Sequence, residues 1–134
     1  MLYKGSGILL IHKSKNKTKV FLGKRIYNPH RGSWSIPGGA SNRGEKSYET
    51  AKREFFEEIG IRREKGISFK YINKHEINLF VFKFTIYIFS TNKIPKIMYV
   101  KKPFEFSKVG WFDINKLPKN LHFGVRESIE KINA

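Results

Sequence analysis

The sequence predicts an α+β domain, a mixed sheet with helices packed on it, and three observations carry that prediction. The elements run strands, helix, strands, helix instead of alternating strand by strand with helices. Residues 79–89 (LFVFKFTIYIF) alternate with the period of a half-buried strand, and residues 47–59 repeat with the period of an amphipathic helix. At 134 residues the chain has the length of one ordinary domain, so residues 1–134 are read as a single unit.

From the amino terminus, residues 7–11 (GILLI) and 19–25 (KVFLGKR) read as two strands of a hairpin joined by the polar turn KSKNKT. Residues 27–34 (YNPHRGSW) read as loop from their Pro, Gly and Asn. The helix over 47–59 takes Ser47 as its N-cap and Gly60 as the C′ glycine that stops it. Residues 67–72 (ISFKYI) and 79–89 read as strands. In the second, Phe80, Phe82, Phe84, Ile86 and Ile88 share the face expected to meet the core, and Lys83, Thr85 and Tyr87 share the other. Residues 109–114 (VGWFDI) form a further strand and NKLP a turn. Val125, Ile129 and Ile132 then fall at i, i+4, i+7 on a terminal helix.

Composition narrows the chemistry. There is no cysteine, which excludes disulfides and thiolate metal sites, and His12, His30, His75 and His122 lack the paired spacing of a zinc site. A metal here would be held by oxygen. The apolar run near the amino terminus is too short for a signal-peptide core, and no stretch reaches the roughly 20 apolar residues that span a bilayer, so a cytoplasmic protein with no membrane partner is expected. The net charge of +16 reads either as a footprint for nucleotides, RNA or DNA or as codon drift, since Lys outnumbers Arg 20 to 7 and the lysines are dispersed. Nothing in the sequence sets the oligomeric state.

Against that basic background, five of the eleven acids lie between Glu45 and Glu58. At about 100° per residue, Glu57 and Glu58 lie about 60° and 40° to either side of Glu54, on one helix face. Ala51, Phe55, Tyr48, Ile59 and Phe56 form an adjacent apolar stripe whose burial holds the acids in place. Carboxylates so close repel one another, at a cost of about 0.2–0.5 kcal/mol per pair on an exposed helix, and a cation removes that cost. Hard oxygen ligands favour Mg²⁺ or Mn²⁺, whose coordination is completed by water and substrate phosphate. The preceding PGGA provides backbone free of side chains, able to approach a metal or phosphate closely.

The spacing places a family. Gly39, Glu45 and then Arg53-Glu54-Phe55-Phe56-Glu57-Glu58-Ile59-Gly60-Ile61 resemble the 23-residue signature of the MutT-like Nudix hydrolases at every fixed position, with Phe55 where an aliphatic residue is more usual. FLGKR, GSWSIPGG and GWFDINKLP stand in the family's order, so the resemblance covers most of residues 5–118.

The resemblance implies an α/β/α sandwich and metal-dependent hydrolysis of nucleoside diphosphates linked to another group. It makes Glu57 and Glu58 metal ligands, Gly38 the donor of a backbone carbonyl ligand, and Glu54 a ligand or the base that activates water. Arg53 and Glu45 become a supporting ion pair, so that Arg53, Glu54 and Glu57 form the catalytic set. Glu105, six residues before Trp111, corresponds to an additional metal-binding glutamate of some members or to an ordinary loop acid. Lys24, Arg25 and Arg31, shortly before the glycine segment, are candidates to hold substrate phosphates. Tyr27, Trp34 and Phe104 are candidates to meet a base. The expected activity is a (d)NTP pyrophosphohydrolase. The alternatives are an RNA 5′-pyrophosphohydrolase and a nucleotide-sugar or dinucleoside polyphosphate hydrolase.

Overall fold

The computed structural model describes residues 2–28, 30–62, 64–101 and 105–133. In chain order the elements are β1 (Tyr3–Ser14), β2 (Lys17–Arg25), β3 (Trp34–Ser35), β4 (Gly38–Ala40), α1 (Ser47–Glu58) and β5 (Ile59–Ile61). They continue with β6 (Phe69–Leu79), β7 (Phe82–Thr91), β8 (Met98–Val100), β9 (Phe106–Asp113), α2 (Val125–Glu130) and a 3₁₀ turn, Lys131–Asn133.

Strand β1 organises the molecule. One edge runs parallel to β7, from Tyr3 opposite Phe82 to Ile11 opposite Ser90. Its other edge forks: Ile11 to Ser14 pair with β2, whereas Gly5 to Gly7 pair with β4. The fork separates β2 from β4, and residues of both strands line one cleft. Beyond β7 lies β6, and β9 and β3 pair with β2, which gives the mixed sheet that was expected. The short strands β5 and β8 form a separate two-stranded sheet.

Both faces of the sheet are covered. Leu9, Ile11, Val20, Leu22, Ile86 and Ile88 pack with Val125 and Ile132 on the α2 side. Ile8, Leu10 and Phe21 pack with Ala51, Phe55 and Ile59 on the α1 side. The result is the predicted sandwich. Full burial of a side chain such as Phe55 contributes about 1.5–3 kcal/mol, so α1 is held by its apolar stripe. No helix among the described residues is long and apolar enough to cross a membrane.

The structure corrects several expectations. The first hairpin turns in two residues, Lys15 and Asn16, and the strands run through the rest of KSKNKT. β7 begins at Phe82, because Phe80 sits at the tip of the β6–β7 hairpin and is 97% exposed. β7 is buried on both faces instead of one: Thr85 is buried, while Tyr87 and Phe89 pack toward α1. Such double cover is what a parallel pairing at a sheet centre requires. Helix α1 is capped at Lys46, whose amide donates to Glu49 Oε1 at 3.0 Å, and Ser47 is its first residue. Gly60 does not terminate the helix. It lies in β5 under the Tyr99 ring, which occupies the space a Cβ would need.

Candidate active site

The Arg53 guanidinium holds the carboxylate cluster together. Its Nε and Nη2 donate to the two oxygens of Glu45 at 2.8 and 3.1 Å, and Nη2 also donates to the Ala40 carbonyl at 2.9 Å. Nη1 reaches Glu54 Oε1 at 2.9 Å and Glu57 Oε1 at 3.1 Å. One planar cation thereby ties the loop before α1, the helix face and the end of β4 into a single arrangement. The Arg53 bonds, with the Asn42 amide and the Thr50 hydroxyl, hold the Glu45 carboxyl down to about 2. The expected Arg53–Glu45 pair is therefore present, and it reaches further than expected.

Glu58 lies at the end of α1 and is buried. It is 7% exposed, and neither carboxylate oxygen finds a hydrogen-bond partner among the described residues. Burial, then the neighbouring carboxylates of Glu54 and Glu105, push its pKa up to about 9, against the pull of the Gly38 amide. A buried carboxylate without donors is costly unless protonated or paired.

Among the described residues no three acids or histidines already converge as a metal cluster, because Arg53 draws Glu54 and Glu57 to itself. The donor set nonetheless fits a divalent cation that prefers oxygen. Glu58 is orphaned, Glu54 lies beside it, Gly38 is close to Glu58 and Gly39 to Glu54, and no nitrogen or sulfur ligand intrudes among the described residues.

Gly38 and Gly39 border a cleft of about 530 Å³. Gly38, Gly39 and Ala40, Arg25 and Glu105, and Phe84 and Phe123 are among its lining residues, with the Phe84 ring close to Gly38. Glu105 is fastened through its carbonyl, which accepts from the Ile26 amide at 3.1 Å. Desolvation and Glu54 raise its pKa, and Arg25 opposes the shift. Of the predicted phosphate ligands, Arg25 lines this cleft. Lys24 and the exposed Arg31 are not among its lining residues.

The base-contact candidates fare differently. Trp34 packs edge-on against Phe112 at 4.7 Å with Lys108 over its ring, Tyr27 is half-exposed in a loop, and Phe104 lies outside the described residues. The rings that reach the cleft are Tyr3, Phe82, Phe84 and Phe123. Tyr3 stacks on Phe82 at 5.0 Å, and Phe82 on Phe84 at 6.2 Å. His122, missed in the sequence, also lines it. Burial, Arg25 and His30 lower its pKa to about 4, so it stays neutral. The period-2 pattern of β7 could have marked Phe82 and Phe84, but Tyr3 arrives only through its register with Phe82.

Comparison with known proteins agrees with this geometry. The MutT NUDIX hydrolase of Burkholderia pseudomallei aligns over 98% of both chains with a TM-score of 0.70 at 20% identity. The NUDIX domain of Shewanella oneidensis NrtR, solved as a complex with ADP ribose, aligns over 99% of this chain and 85% of that one, with a TM-score of 0.66 at 16% identity. In sequence, 48 residues are 44% identical to an RNA pyrophosphohydrolase of Azorhizobium caulinodans. That match spans 33% of this chain and only 29% of the relative's length. The model of the NUDIX domain matches residues 2–132, and with the Glu45–Arg53–Glu54–Glu57–Glu58 arrangement in place the chain belongs to the NUDIX family.

Proposed function

We propose that this NUDIX protein is a metal-dependent pyrophosphohydrolase acting on nucleoside triphosphates. The observation that carries the reading is a single cleft lined by bare glycine backbone, Arg25, Glu105 and aromatic rings, with the Glu54 carboxylate against Gly39 at its edge. A phosphoanhydride needs the charged groups and a nucleobase the rings. Mg²⁺ or Mn²⁺ held by Gly38, Glu57 and Glu58 would neutralise phosphate charge and make a bound water more acidic.

The protein's own groups do the positioning. Arg53 fixes Glu54 and Glu57 through Nη1, and Arg25 faces the phosphates from the cleft wall. Glu54 Oε1 is engaged by Arg53, so Oε2 is assigned the proton of the attacking water. The water oxygen bonds to phosphorus, the bridging phosphoanhydride bond breaks, and its electron pair leaves with the departing phosphate group. A cytoplasmic setting suits such substrates.

A second reading, pyrophosphate removal from a triphosphorylated RNA 5′ end, is favoured by the match to an RNA pyrophosphohydrolase and by the +16 charge. One panel decides between them: dNTPs, oxidised dNTPs, nucleotide sugars, dinucleoside polyphosphates and triphosphorylated RNA, each with Mg²⁺ or Mn²⁺, ranked by kcat/KM. The primary reading requires nucleoside triphosphates to rank first. Efficient turnover of RNA alone transfers the assignment to the second, and no turnover of any phosphoanhydride defeats both.

A further inference from the structure

Helix α1 has two flanks, and the carboxylates bound by Arg53 occupy only one. On the other, Tyr48, Phe56, Phe69 and Tyr71 remain 42%, 49%, 45% and 49% exposed, although Tyr48 and Phe56 belong to the stripe expected to be buried. They are not scattered. Tyr48 meets Tyr87 at 5.5 Å and Phe89 at 6.1 Å, Tyr71 meets Phe89 at 5.8 Å, and Phe56 abuts Phe55 at 5.3 Å. Ile8, Leu10 and Phe89 line a groove of about 170 Å³ with Tyr48, Phe56 and Phe69, and Tyr71 stands beside it against Phe89. A contiguous apolar patch left open on a soluble fold marks a place of contact.

Charge selects the partner. The groove's lining contains no acid, and its one charged residue is Lys52, whose ammonium lies 5.4 Å over the Tyr48 ring. Beside it, Lys101 Nζ donates to the Phe56 carbonyl at 2.9 Å, which sets a second cation at the rim. The chain as a whole carries +16, so a second copy of itself would bring matching positive charge to the same face. Exposed rings interleaved with lysines on a cationic protein suit unstacked bases and a phosphate backbone together.

We propose that this flank of α1 binds single-stranded RNA, with bases stacking on Tyr48, Phe56, Phe69 and Tyr71 while Lys52 and Lys101 meet the phosphates. The surface is separate from the hydrolytic cleft and does not depend on which phosphoanhydride that cleft cleaves. A strand seated here would lie one helix width, about 10–12 Å, from the carboxylates.

The test uses the full chain and a ligand with nothing to hydrolyse: a fluorescent oligouridylate about 10 nucleotides long with a 5′-hydroxyl, followed by anisotropy. An abasic oligomer of the same length serves as the charge-only probe. The expected result is that oligouridylate binds more tightly than the abasic strand, and that Tyr71→Ser weakens it roughly tenfold or more. Lys52→Glu should weaken it and flatten its salt dependence. Both variants should keep wild-type melting and wild-type nucleotide hydrolysis, so a cleft without activity leaves the binding result readable. Equal affinity for the two strands, or indifference to Tyr71→Ser, overturns the proposal. So does concentration-dependent dimerisation that Tyr71→Ser abolishes, which would make the patch an interface between copies.

Discussion

The Glu54 carboxylate occupies the space that a side chain on Gly39 would fill: a Cβ at that position would stand 2.5 Å from the carboxyl carbon. The glycine is thus a condition of the carboxylate's position. Gly39→Ala should displace Glu54 and lower kcat on the order of 100-fold, the scale of a misplacement of about 1 Å at a reacting centre. Stability should change little, because the contact is with the far end of a flexible side chain. Steady-state kinetics beside thermal melts check this, and an alanine variant with wild-type kcat would sever the proposed link.

Hydrolysis should require added Mg²⁺ or Mn²⁺, since the proposed donors are all oxygens and Arg53 alone cannot neutralise a phosphoanhydride. Activity in EDTA should vanish and return on adding excess metal. Turnover that persists in chelator, with metal absence verified, refutes the requirement.

Glu58→Gln and Glu57→Gln should separate function from folding. Glu58 is buried with unpartnered oxygens, so an amide of the same shape should melt at the wild-type temperature or above it. The Glu57 side chain is 56% exposed, and its replacement should leave the melt unchanged. Each should lower turnover by at least about 100-fold, because charge stabilisation of several kcal/mol is at stake and about 1.36 kcal/mol corresponds to a decade in rate. Near-normal kcat in a folded Glu58→Gln protein means the site is elsewhere.

Acid should loosen the loop before α1. Glu45 titrates near 2 in the folded protein against an ordinary 4.5, so the unfolded chain binds more protons between those values. The stabilisation from its bonds to Arg53 is complete above about pH 4.5 and is lost as pH falls through about 2. Glu45→Gln should flatten the fall of melting temperature across that interval. Parallel melting curves for variant and wild type would show that the pair contributes nothing there.

Legibility followed the range of the interactions. The carboxylate face of α1, the strand core of β7 and the first hairpin are local patterns, and a single sequence displays them. β5 and β8, three residues each, are too short for any period to register, and they pair with one another across the β6–β7 hairpin. The Gly60 reading failed because the reason for that glycine is the Tyr99 ring, far away in sequence. The burial of Glu58 has no local mark in the sequence, because it comes from the surrounding fold, with the Gly38 backbone near its carboxylate. Tyr3 and His122 enter the cleft from opposite ends of the chain, where no spacing rule connects them to the carboxylates.

The β1–β7 ladder also sets a clock. Its partners lie 79 positions apart, as His12 Nδ1 and the Thr91 carbonyl do at 2.9 Å, and the segment between them includes β4, α1 and β6. Closing so long a loop exacts chain entropy before any ladder bond returns it, and parallel pairing across such separations is slow. The floor on which α1 rests is complete only when β1 and β7 meet, so catalytic competence during refolding should appear with the last and slowest phase, after helical signal has returned.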